Sequence, residues 1–176
     1  MHVVAFNGSP RKNGNTARLV RHCLDTLESE GISTEMVQVG GTNIRGCCSC
    51  LSCRKKAVEV CAITSDPFNE WIEKMKNAEG IILASPVYMF GTTPEMKALI
   101  DRASFIARGR VRRGEQGSMF YRKVGGAISA VRRAGAIQAL QTMISMFAVT
   151  QMVVPMSNYW TFGMGEAPGE VEKDAE

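Results

Sequence analysis

Short, uniformly apolar runs alternate along this chain with longer stretches in which apolar residues recur every three or four positions. Val3-Val4-Ala5-Phe6 is the first such run and ends in Asn7-Gly8-Ser9-Pro10. Consecutive apolar positions suit a strand buried on both faces, and the Gly/Pro cluster predicts a loop after it. From Thr16 to Glu30, Ala17, Val20, Leu24 and Leu27 share one helical face, and Gly31 stops the helix. Ile32 to Val39 alternates as an edge-side strand does. A polar, cysteine-rich insert follows, from Gly40 to about Asp66. A second helix then carries Phe68, Trp71, Ile72 and Met75 on one face, and Gly80 leads into the core strand Ile81-Ile82-Leu83-Ala84.

The third helix has a well-marked start: Thr93 as cap, Pro94 in the first position, Glu95 beside the positive helix end. Val124 to Val131 reads as the fourth strand, Ala134 to Val149 as the fourth helix, and Gln151 to Met156 as the fifth strand. Val171 to Glu176 reads as the start of a fifth helix, which in such a fold covers one face and runs on past Glu176. Strands alternating with helices require right-handed crossovers, hence an α/β, doubly wound, five-stranded parallel sheet covered on both faces. No internal repeat and no linker divides residues 1–176, and a closed eightfold barrel needs a far longer chain. One domain is expected.

Composition narrows the class. The apolar share is 45% and the net charge +4, so a real core is expected and disorder is not. The basic excess lies in 102–133, without aromatic interleaving or a reader motif; it reads as a solvated face rather than a nucleic-acid site. The amino terminus has no basic leader before an apolar stretch, and no run of 18 apolar residues occurs. A cytoplasmic protein without a membrane span is expected. There thiols stay reduced, and clustered cysteines point to metal or redox chemistry.

In an open parallel sheet, ligands bind beyond the carboxyl ends of the strands. Three loops meet there. Gly8 to Thr16 offers Ser9, Asn15 and Thr16 as donors, two glycines, and a helix start, which together suit a phosphate. It is neither a P-loop nor a GxGxxG fingerprint. Ser85 to Pro94 is aromatic and apolar, the wall that an isoalloxazine ring needs, or a surface for a subunit partner. Ser129 to Gly135 closes the other side; Arg132 there offers a charge to an anionic reduced flavin, or opens a solvated helix.

GSPRKNGNTARLV and SPVYMFGTTPEMKALIDR together resemble the iron–sulfur flavoprotein and NAD(P)H-dependent FMN reductase group of the flavodoxin-like superfamily, over Met1 to about Met164. That resemblance implies strand order 2-1-3-4-5 with the cysteine-rich insert after strand two. It implies that Ser9, Arg11, Asn13, Asn15 and Thr16 hold the FMN phosphate, and that Pro86, Val87, Tyr88, Met89, Phe90 and Gly91 line the ring; the loop after strand four, with Arg132 and Gly135, is read as closing the other side. The reductase side of that group offers NAD(P)H as a co-substrate.

Five of the six cysteines lie between Cys47 and Cys61. Cys47-x2-Cys50-x2-Cys53 has the register that wraps an iron–sulfur cube, and Cys61 supplies a fourth thiolate; Cys48 breaks the register. Zinc, free thiols and a redox disulfide remain open. Cys23 reads as a core thiol. With a [4Fe–4S] cluster, the expected function is electron transfer from a ferredoxin-like donor through cluster and FMN to a small-molecule acceptor such as a quinone, oxygen or peroxide. The alternatives are an NAD(P)H:flavin or quinone reductase without a cluster, and a zinc-stabilised interaction module. No protein acid or base stands in the loops; His2 and His22 lie elsewhere. Exposed Val87, Tyr88, Met89 and Phe90 predict a homodimer or dimer of dimers.

Overall fold

A computed structural model describes residues 1–174. Five parallel strands form one sheet in the order β2-β1-β3-β4-β5, as expected. β1 (His2–Asn7) and β3 (Gly80–Pro86) lie at its centre, with Val4 opposite Ile81 and Phe6 opposite Leu83. β2 (Ser33–Gln38) is the edge strand beside β1, and it is the less buried, as its alternation foretold. β4 is Val124–Val131.

Side chains alternate across the pleat, so each central strand feeds two cores. Val4, Phe6, Ile81 and Leu83 face the larger one. It is filled by α3 (Phe68–Asn77), α4 (Pro94–Ala107) and α6 (Ala136–Val149) through Phe68, Trp71, Leu99, Leu140 and Phe147. Ala5, Ile82 and Ala84 face α1 (Asn15–Ser29), which contributes Val20 and Leu24. Two short helices complete the set, α2 (Ser52–Lys55) within the cysteine insert and α5 (Gly109–Arg112) after α4.

The fifth strand is not Gln151–Met156. The chain turns at Gln151, whose φ is +61°, and Val153 makes only an isolated bridge to Val124. Pro155 then offers no N–H to the ladder. The strand that pairs in register with Ser129–Val131 is β5, Phe162–Met164. Beyond it, Glu170–Lys173 forms one 3₁₀ turn after Gly169, which has φ +93°, in place of the start of a longer helix. The remainder of the helix expected over Val171–Glu176 falls on residues 175–176, outside the described residues.

The cysteine insert leaves the sheet pressed against the loop after β1. A Cβ on Gly40 would lie 2.3 Å from the Gly8 oxygen and the Ser9 carbonyl carbon, so only glycine allows this crossing. Gln38 Nε2 fastens it, donating to the Ser9 oxygen (2.6 Å) and the Gly40 oxygen (2.7 Å).

Candidate functional site

The loop after β1 is braced by its own hydrogen bonds. Ser9 N–H donates to Asn7 Oδ1 (3.1 Å), and Ser9 Oγ accepts from Arg11 N–H (3.2 Å). Ser9, Asn15 and Thr16 are buried. The first N–H of α1 to close within the helix is that of Arg18, onto the Gly14 oxygen at 3.1 Å. Asn15, Thr16 and Ala17 therefore present amides without a helical acceptor at the positive end of a 15-residue helix, a ready anion site.

The loop after β3 is locked onto it. Thr93 Oγ1 donates to the Gly8 oxygen (2.9 Å) and accepts from Met96 N–H, so the predicted cap also ties two loops together. Within this loop Tyr88 and Gly91 exchange both backbone hydrogen bonds at 2.9 Å. The two residues between them, Met89 and Phe90, have φ of +44° and +61°. Bulky side chains rarely adopt this hand, and such strain collects where a surface must present them. Met89 is 94% exposed, and Tyr88 and Phe90 are exposed too.

Between the loops lies a cleft of about 300 Å³. Of the expected residues, Ser9, Arg11, Asn15, Thr16, Pro86, Val87, Tyr88 and Arg132 line it. Asn13 does not; its Oδ1 accepts from Arg21 Nη2 (2.8 Å). Met89, Phe90 and Gly91 stand at the turn beyond it. Gly135 lies behind the wall, where a Cβ would meet Val87 Cγ1 at 2.9 Å. Gly165 and Glu166 also line the cleft, and sequence reading missed them because it placed β5 too early. Gly165 N–H donates to the Val131 oxygen (2.9 Å), and Glu166 pairs with Arg132 at 2.7 Å. The Asn15 side chain is engaged by the same segment, donating to the Ala167 oxygen (3.0 Å) and accepting from Gly169 N–H (2.7 Å).

Cys47, Cys48, Cys50, Cys53 and Cys61 line one recess, floored by Arg102, Phe105 and Ile106. Cys47, Cys48 and Cys50 are exposed, whereas Cys53 and Cys61 rest half-buried against the larger core. Burial pushes the Cys53 thiol up, while the backbone N–H of Ser52 draws that of Cys50 down. Asn69 fixes Cys61, accepting from its N–H (2.8 Å) and donating to its oxygen (3.0 Å). Among the described residues, no three His, Cys, Asp or Glu converge as a single ion would require. All six cysteines are unbridged. Cys23 is half-buried against the α1 core, and burial raises its thiol as well.

Two ionic anchors also hold this insert. Arg102 and Asp66 form a buried ion pair at 2.6 Å, their side chains 1% and 3% exposed. Burial alone would raise the Asp66 carboxyl; the Arg102 guanidinium and the N–H groups of Arg45 and Phe68 outweigh it and hold it below the usual carboxylate range. Glu59 gathers Arg110, Lys76 (3.1 Å) and Arg113 (3.8 Å), and is drawn down to about 2, chiefly by its hydrogen bond from Arg110. Much of the basic stretch over 102–133 is thus spent on internal pairs. No helix among the described residues is long and apolar enough to cross a membrane.

The strand order, the anion loop after β1 and the aromatic loop after β3 at one sheet edge define a flavodoxin-like protein. A model of the NADPH-dependent FMN reductase family matches residues 1–167, and the chain belongs to that family. It is an FMN-dependent oxidoreductase. An iron-sulfur flavoprotein of Methanocaldococcus jannaschii is 35% identical, with 99% of this chain and 88% of that one aligned. An iron-sulfur flavoprotein of Methanosarcina thermophila is 30% identical, covering 97% and 85%. A WrbA-like flavodoxin of Agrobacterium tumefaciens superposes with a TM-score of 0.63 at 14% identity, covering 99% and 88%.

Proposed function

We propose that this protein carries single electrons from a ferredoxin-type donor, by way of a [4Fe–4S] cluster and FMN, to a small acceptor such as a quinone, oxygen or peroxide. The observation that carries this reading is the recess itself: cysteines in cube-binding register line one hollow, backed by a buried guanidinium whose Nε has no partner. A hollow lined by thiols, rather than thiols converging on a point, suits a cube better than a zinc ion, which needs four sulfurs at about 2.3 Å. The relatives called iron-sulfur flavoproteins favour the same choice.

When bound, FMN exchanges one or two electrons and the cube exchanges one. The chain's residues do the rest. Ser9, Thr16 and the amides opening α1 take the phosphate, and Arg11 adds charge at the rim. Pro86, Val87 and Tyr88 give the ring an apolar wall that displaces water. Arg132 lines the same cleft paired with Glu166, and its guanidinium would offset negative charge on a reduced ring if it exchanged that partner. Cys47, Cys50, Cys53 and Cys61 are the four thiolates. The turn at Met89 and Phe90 is apolar and exposed, and suits pairing with a second copy in a dimer or dimer of dimers; light scattering checks this at micromolar concentration. The thiols favour a cytoplasmic home, where they remain reduced.

The family's description favours a second reading, hydride transfer from NAD(P)H to FMN without a cluster. Visible spectra with iron and flavin analysis on anaerobically purified protein separate the two. A broad brown shoulder over the flavin bands with four irons per FMN supports the first; flavin bands alone, without iron, overturn it.

A further inference from the structure

Arg102 has an unexplained donor. It lies on the buried face of α4, in line with Leu99 and Ile106, and is 1% exposed. Nη1 donates to the Arg45 oxygen (3.0 Å) and to Asp66 (2.6 Å), and Nη2 to the Ile63 oxygen (3.1 Å). The plane of the guanidinium covers the Phe68 ring at 4.0 Å. Nε is buried with no partner. Buried N–H groups are almost always hydrogen-bonded. Among the described residues, Arg102 Nε and Arg18 Nε are the two buried side-chain groups without a partner, and Arg102 Nε is the one whose residue lines the cysteine recess, so an acceptor bound there would satisfy it. Arg102 belongs to the recess that the five cysteines line. The acceptors that a cube brings to such a recess are its sulfurs.

We propose that Arg102, through Nε–H, donates a hydrogen bond to a sulfur of the cluster and thereby sets its reduction potential. The proposal rests on the cluster reading above. Reduction adds one electron and makes the sulfurs more basic, so a donor there stabilises the reduced state and raises the potential. Arg102 is a donor in both states and transfers no proton. It is a positioning residue that acts on the thermodynamics of one electron. The rival role is a plain clamp: Arg102 holds the carbonyls of Arg45 and Ile63 and leaves the cluster untouched.

The first test needs no variant. Anaerobic protein made with arginine carrying ¹⁵N at the ε position is reduced, and the cluster is examined by pulsed EPR. A ¹⁵N coupling is expected, absent from Arg102→Lys; a wild-type cluster without the coupling overturns the proposal. The second test is the double variant Arg102→Met/Asp66→Asn, which removes both buried charges together and leaves the local net charge unchanged. Its cluster is expected to be at least tenfold harder to reduce, a shift of 59 mV for one electron. A double variant that keeps iron at the wild-type potential assigns Arg102 to the clamp and overturns the proposal. If the double variant holds no iron, the wild-type coupling decides. Wild-type protein that holds no iron at all overturns this proposal and the cluster reading together.

Discussion

The loop after β1 and the cysteine loop leave neighbouring strands at one sheet edge, yet they are built in opposite ways. Over 8–16 the side chains are buried at Ser9, Asn15 and Thr16, and the loop's own hydrogen bonds fix it. Over 47–61 the backbone takes positive φ at Ser49, Leu51 and Ala57, and three of the five cysteines are exposed. The first site is a product of the fold, since a helix start beside a strand end supplies its donors at no further cost. The second is a strap held chiefly by ion pairs, Arg102–Asp66 and those of Glu59, and on the reading proposed above its interior would be completed by a cluster. Loss of a ligand should therefore be tolerated by the first loop and felt by the second.

The comparison breaks most visibly at Cys53. Cys53→Ala is expected to abolish the cluster while FMN stays stoichiometric, because the flavin loops follow β1, β3 and β4 and share no residue with the strap. Iron and flavin analysis checks this, and parallel loss of flavin would show that the two sites fold as one. Ferredoxin-driven flavin reduction should collapse in the same variant, whereas unaffected NADPH-driven reduction with no ferredoxin activity in either protein would favour direct hydride transfer.

Next in size is the buried anchor. Asp66→Ala leaves the Arg102 charge without its carboxylate, and breaking such a pair costs about 3–5 kcal/mol. Urea denaturation should show that loss, whereas a loss below about 1 kcal/mol would mean that the strap contributes little to the fold.

On the other loop, Thr16→Ala should weaken FMN binding by about 1 kcal/mol, roughly fivefold in Kd, with little change in stability. Flavin fluorescence titration reads this directly. An unchanged Kd would take Thr16 out of the phosphate site.

The smallest effect is one of pH. Glu59 stands at about 2 instead of the usual 4.5, so its contribution to the folded state is complete above pH 4.5 and is lost as the pH falls from there towards 2. Limited pepsin digestion in that window should nick the strap near Glu59 before it touches α1. Glu59→Gln should be equally susceptible across the whole window.

Local signals carried most of the fold. The apolar runs at Val3–Phe6 and Ile81–Ala84 could only be buried strands, and Thr93-Pro94-Glu95 marked a helix start that also turned out to tie two loops. The shape of the loop after β1 was readable for the same reason, since glycines, Asn15 and Thr16 sit next to the helix they open. What escaped was non-local. Val153 and Pro155 look like a strand in isolation, but Val153 makes a single bridge to β4 and the in-register pairing begins at Phe162, and Gly165 and Glu166 reached the cleft unannounced. Arg102 left a trace, a lone charge between Leu99 and Ile106 on an apolar helix face. Its partner, Asp66, stands 36 positions away, where no periodicity links them.

Gly40 has a bearing on how such proteins can be assembled from parts. Its hydrogen sits where any larger group would strike Gly8 and Ser9, and Gln38 stitches the crossing shut. The cysteine segment is therefore no cassette that can be lifted out and pasted into another flavin scaffold. A transplant that brought residues 41–66 alone would meet a host loop of the wrong shape at the first step. The smallest transferable unit is the β1 loop, Gln38, Gly40 and the insert together, and chimaeras cut on either side of Gly40 should differ sharply in whether they fold.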